Sequence, residues 1–148
     1  MSTPAFIITA VQDALKNSSY LTYINDDSIF LGIRESITLF PCIVIEPSGD
    51  KLLDETYPYE GRAISINIFG YIQVYDKEKQ IVGDTNTKGV LDIENDIRKA
   101  LSANNTLGLD GVYDVRLIAT AQDITQYPTR GFVISVEVHY RQDRLTRS

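Results

Sequence analysis

The chain has 148 residues, 43% of them hydrophobic and 23% charged, with a formal net charge of −6. That length and usage fit one ordinary globular domain with a core of its own, and the acidic balance excludes a surface that replaces phosphate counterions with clustered Lys and Arg. An acidic protein surrounding a DNA path would instead repel the polyanion and let it slide past.

The single cysteine, Cys42, lies in an apolar run, so it has no internal disulfide partner and reads as a small buried hydrophobe suited to a reducing compartment. No stretch approaches the ~18 apolar residues of a membrane span, and the first ten residues lack a basic segment leading into an apolar run. The sequence therefore predicts neither a membrane protein nor one exported by a visible signal.

Thr3 and Pro4 mark a helix start, Thr3 as cap and Pro4 at the first helical position, where its missing N–H costs nothing. Ile7, Ala10, Val11, Ala14 and Leu15 then share one helical face, and Asn17-Ser18-Ser19 supplies the stop. Residues 20–27 read as a loop, followed by short strands at 28–33 and 40–46. Pro41 and Pro47 bracket the second strand, which places it near a sheet edge where no ladder donor is needed.

Residues 47–61 contain Ser48-Gly49-Asp50, Asp54-Glu55 and Tyr57-Pro58-Tyr59 without sustained periodicity, which predicts a long exposed loop. Such loops are uncommon in compact domains, and this one reads either as a partner-facing surface or as a tyrosine-anchored surface loop.

In residues 62–75, Ile64, Ile66, Ile68, Ile72 and Val74 alternate with Ser65, Asn67, Phe69, Tyr71, Gln73 and Tyr75. This is a strand with two unlike faces. At about 3.3 Å per residue it reaches roughly 45 Å, well past the ~17–20 Å of a common strand.

A charged turn at 76–80 and the segment 83–89 lead to a helix over about 87–103, with Val90, Ile93, Ile97, Ala100 and Leu101 as its apolar stripe. Glu94 and Arg98 stand four apart on the side expected to be wet, an arrangement contributing about 0.2–0.5 kcal/mol. Asp110-Gly111 turns the chain, and strands at 112–126 and 131–141 are predicted to form an antiparallel hairpin closed at residues 127–131. Phe132, Ile134, Val136, Val138 and Tyr140 give its second strand an apolar face, and Ser135, Glu137, His139 and Arg141 a polar one. Residues 141–148 read as an exposed charged tail. The predicted class is α+β: a mainly antiparallel sheet of long strands with two helices on one face.

Chemistry is sparsely signalled. His139, the lone histidine, sits in line with Glu137 and Arg141 and reads as a solvated or interface residue without catalytic partners. Cys42 has no basic neighbour in sequence to make it a nucleophile. Asp26-Asp27 and Asp92 with Asp96 lack a calcium loop's ligand pattern and read as solvated charge. The segment Gly83-Asp84-Thr85-Asn86-Thr87-Lys88-Gly89 stands between strand and helix, but Lys88 precedes Gly89 and Val90 follows, the wrong order for a phosphate loop. The reading assigns no catalytic residue, metal or cofactor.

The element order, with Phe40-Pro41-Cys42-Ile43-Val44-Ile45-Glu46-Pro47, the alternation over 63–75, the helix at 89–101 and Gly131-Phe132-Val133-Ile134-Ser135-Val136-Glu137-Val138-His139-Tyr140, resembles the tail terminator, or tail-completion, proteins of long-tailed bacteriophages. The resemblance covers nearly the whole chain. It implies a structural virion protein forming a homohexameric ring at the head-proximal end of the tail tube. Such a ring ends tube polymerisation, joins the tail to the neck or head connector, meets a sheath protein if the tail is contractile, and lets DNA pass without specific binding.

A head-to-tail ring needs two different patches per subunit, and Tyr57, Tyr59, Phe69, Tyr71, Tyr75 and Arg141 are the expected subunit or tube contacts. Asp54, Asp76 and Glu78 are the expected bore-facing acids. The implied location is the virion tail or neck, and host cytoplasm during assembly. Competing readings are another neck or connector component, a tail tube or baseplate subunit, or a small ligand-binding or enzymatic domain.

Overall fold

Helix α1 spans Pro4–Lys16, with the Thr3 hydroxyl accepting the Phe6 N–H at its start and Pro4 in the first turn. Its buried residues are Ile7, Val11 and Leu15, the stripe expected from their spacing. The computed structural model describes residues 3–32, 39–56, 59–123 and 127–143. Two short 3-10 turns follow α1 and lead into strand β1, Ile29–Leu31. Strands β2 (Cys42–Thr56) and β3 (Tyr59–Gln73) come next, then helices α2 (Lys77–Val82) and α3 (Val90–Ser102), then strands β4 (Val112–Asp123) and β5 (Thr129–Asp143).

The five strands form one sheet in the order β1-β2-β3-β5-β4, with β1 parallel to β2 and every other pair antiparallel. The fold is α+β. Cross-strand register puts Ile45 beside Ile68 and Ile134, and Ile64 and Ile66 beside Val138 and Val136. This aliphatic face is buried against the stripes of α1 and α3, including Val90, Ile93, Ile97 and Leu101. Each fully buried aliphatic side chain contributes about 1.5–3 kcal/mol of transfer free energy, so the sheet and two helices are held chiefly by this layer.

Several expectations are corrected. Residues 47–56 and 59–61 are not loop: β2 continues to Thr56 and pairs with β3 as far as Thr56 opposite Tyr59. Beyond Ile45, β2 has β3 on one side and no described strand on the other, so Pro47 is tolerated within it. The charged turn at 76–80 contains a third helix, α2, capped by the Asp76 carboxylate accepting the N–H groups of Glu78 and Lys79. Helix α3 begins at Val90 rather than 87, with the Asp92 carboxylate accepting the Gly89 N–H. Strand β5 runs on past Arg141 through Gln142 and Asp143, which were expected in an exposed charged tail; residues 144–148 lie outside the described residues.

Glu94 and Asp96 are buried, not solvated. Gln122 of β4 donates to Glu94, while the Tyr23 hydroxyl and Lys88 Nζ both reach Asp96 Oδ2, at 2.7 and 3.3 Å.

Candidate assembly surface

The helices cover one face of the sheet, and the other carries most of the residues expected to make contacts. Alternation from the buried isoleucines puts Tyr59, Ser65, Asn67, Phe69 and Tyr71 of β3 on that outer face, with Ser135, Glu137, His139 and Arg141 of β5 beside them. Phe69 and Tyr71 are half-buried and stack with their rings 5° from parallel and centroids 6.4 Å apart. Tyr71 lies over Gly131, where a Cβ would come 2.7 Å from the ring. Opposite them, Val44 and Cys42 are buried on this same face. Burial raises the Cys42 thiol to about 11, so it is an unreactive packing group.

Towards the end where β2 meets β3 the surface becomes polar. Lys51 and His139 both contact Glu137, each at 3.2 Å, and together hold its carboxylate below the usual range. His139 is only 8% exposed and packs edge-on against Tyr113 on the outer face, so of the two readings, solvated or interface, the solvated one is corrected. Further out, the Arg141 guanidinium lies 4.8 Å from the Tyr59 ring centroid, and Asp54 accepts the Gly61 N–H. Asp54, Tyr59, Gly61, Tyr113 and Arg141 line a shallow hollow of about 310 Å³.

The opposite end of β3 carries a second aromatic group. Tyr75, 74% exposed, meets Tyr127 edge-on, with Lys77 above the Tyr127 ring. Gln80 of α2 donates to both the Val74 and Pro128 carbonyls and so holds this end together. Asp76 and Glu78 belong here, a full strand length from Asp54. The structure thus brings Tyr59, Arg141 and Asp54 together at one end of β3, places Phe69 and Tyr71 towards its other end, and sets Tyr75, Asp76 and Glu78 beyond that end. Tyr57 lies outside the described residues.

Sequence reasoning missed Lys51, Tyr113 and Tyr127, because their positions depend on β2 running past Pro47 and on partners distant in sequence. On the helix side of the end where β2 meets β3, the Tyr140 hydroxyl donates to Asp50 at 2.5 Å and Arg62 bridges Asp50 and Glu60 at 2.6 and 3.2 Å, which stiffens that end from behind. Among the described residues no group of three or more His, Cys, Asp or Glu side chains is placed to hold a metal ion.

No protein-family model matches the sequence, and neither does any curated protein. Among solved structures, a chain of the virion of a native gene transfer agent particle is similar in fold, with a TM-score of 0.59 over 92% of this chain and 95% of that one. At 9% identity the likeness is one of fold.

Proposed function

We propose that this chain is a structural, non-enzymatic subunit of a phage-like virion, closing into a hexameric ring that ends a tail tube at its head-proximal end and joins it to the neck or head connector. The observation that carries the reading is a fold shared along nearly the full length of both chains with a component of a gene transfer agent virion. The open outer face, with aromatic groups at both ends of a long strand, supports it as a surface built for contact. Tyr59 and Arg141 anchor one contact and Tyr75 another, with Phe69 and Tyr71 between them. The net charge of −6 suits a ring through which DNA slides without being held.

The test is a tube-length assay. Tube protein from the same particle is polymerised with and without this chain and the tubes measured by electron microscopy. The proposal predicts tubes that stop growing and carry the chain at one end. Incorporation all along the tube would make it a tube subunit instead, and no effect on tubes would remove the terminator role.

A further inference from the structure

The sheet has two long margins of its own that no described strand covers. One is β4, which pairs only with β5; the other is β2 beyond Ile45, where β1 ends. Exposed edges are usually blunted by short strands, charges, proline or bulges, and these margins carry two bulges each and, on β2, Pro47. Both margins here are long, and each turns an aliphatic side chain outward from a bulge: Leu53, 40% exposed, on β2, and Ile118, 55% exposed, on β4. Beside Ile118 is a hollow of about 380 Å³ lined also by Arg98, Ser102 and Thr120.

The two margins match in detail. Bulges leave Ser48 and Leu53 as the extra residues of β2, and Tyr113 and Ile118 as those of β4, five positions apart on each strand. Reading straight across the sheet, Lys51 is level with Ala63, His139 and Asp114; Gly49 with Ser65, Glu137 and Arg116; and Glu46 with Asn67, Ser135 and Ala119. A copy moved sideways with its helices on the same side therefore presents its β2 antiparallel to β4, without any slide along the strands.

A one-residue slip between strands would turn every side chain to the wrong face. The bulges of the two margins lie one residue apart in height, and core-facing residues stay opposite core-facing ones from Glu46 level with Ala119 to Leu52 level with Val112; above that, residues 120–122 of β4 are level with the part of β2 that β1 already pairs. The same register sets Lys51 opposite Asp114 on the outer face, an opposite-charge cross-strand pair added to the ion pairs that Lys51 makes with Glu137 and Asp114 with Arg116 within the chain.

We infer that β2 of one copy adds to β4 of the next as an antiparallel strand, with Lys51 opposite Asp114, making one continuous sheet through successive copies. The inference deepens the ring reading above and rests on it. It identifies the occupant of both margins as a second copy of this chain, through a heterologous contact that repeats around a closed ring.

Disulfide trapping tests it. Chains carrying Lys51→Cys and Asp114→Cys are prepared separately, mixed and mildly oxidised, with the parent chain as control for the buried Cys42. Gly49→Cys with Arg116→Cys is a second pair, since a Cβ at Gly49 meets nothing within 4 Å, and thermal melts confirm that each variant folds. Thiols seated side by side have a raised effective concentration, so the mixed disulfide is expected at roughly tenfold or more over either chain oxidised alone. Dimers within each single preparation but not between them would overturn the inference in favour of a two-fold contact. Absence of the mixed product from both pairs also overturns it. The native mass of the parent chain, alone and with tail tubes added, then separates the two readings: a hexamer in either condition leaves the ring standing without this seam, and a chain that stays monomeric in both removes both.

Discussion

Gly70 faces Phe132 across the β3–β5 ladder, and a Cβ at Gly70 would overlap the Phe132 ring. The neighbouring pair repeats the arrangement in reverse on the other face, where Tyr71 covers Gly131. Each glycine removes a side chain so that an aromatic ring can lie flat across the sheet.

Gly70→Ala is therefore expected to destabilise the chain by about 1–3 kcal/mol, the usual cost of overpacking. That outweighs the gain of about 0.4–1 kcal/mol from a less flexible unfolded chain. Phe132→Ala should cost about 3–5 kcal/mol through the cavity it leaves. Urea unfolding measures both, and a Gly70→Ala chain as stable as the parent would contradict the packing.

Alkaline pH probes the contact between Tyr140 of β5 and Asp50 of β2. Burial and the hydrogen bond to Asp50 raise the Tyr140 pKa above its ordinary value of 10.0. A folded-state pKa above the unfolded one means stability that is intact below about pH 10 and lost as pH rises beyond it. Burial and Asp96 act on Tyr23 in the same direction. Stability measured from pH 8 upward should fall beyond pH 10, and fall less steeply in Tyr140→Phe. Equal slopes for the two chains would show that Tyr140 does not ionise against the fold.

Cys42 supplies a chemical probe of the sheet. With its thiol raised to about 11 by burial, alkylation at pH 8 should be far slower in the folded chain than in urea. Equal rates in the two conditions would mean that the outer face opens at Cys42.

Tyr75 separates assembly from folding. Its side chain is 74% exposed, so Tyr75→Ala should change stability by no more than about 0.5 kcal/mol. It should nevertheless weaken assembly in sedimentation at matched concentration. A Tyr75→Ala chain that assembles like the parent is outside the contact surface.

The helices and β3 were legible because each buries one regular face: Ile7, Val11 and Leu15 repeat at helical spacing, and Ile64, Ile66 and Ile68 at strand spacing. The outer half of β2 was not. Its residues from Pro47 to Glu55 are exposed on both faces, and the bulges at Ser48 and Leu53 reset the alternation, so neither period survives there.

Helix α2 is six residues long, too short for a periodic signal, and its Asp76 cap was read as part of a charged turn. Glu94 looked solvated on its own helix because its cover, Gln122, comes from a strand 28 residues away. The expected contact residues lay largely on one face, since strand alternation fixes facing. Their grouping at opposite ends of β3 required the register.

The most direct measurement of the central claim is the native mass of the purified chain over a concentration series, taken alone and with tail tubes added. The account predicts a closed hexamer, free in solution or formed at tube ends. A chain that stays monomeric at every concentration and fails to associate with tubes would contradict it.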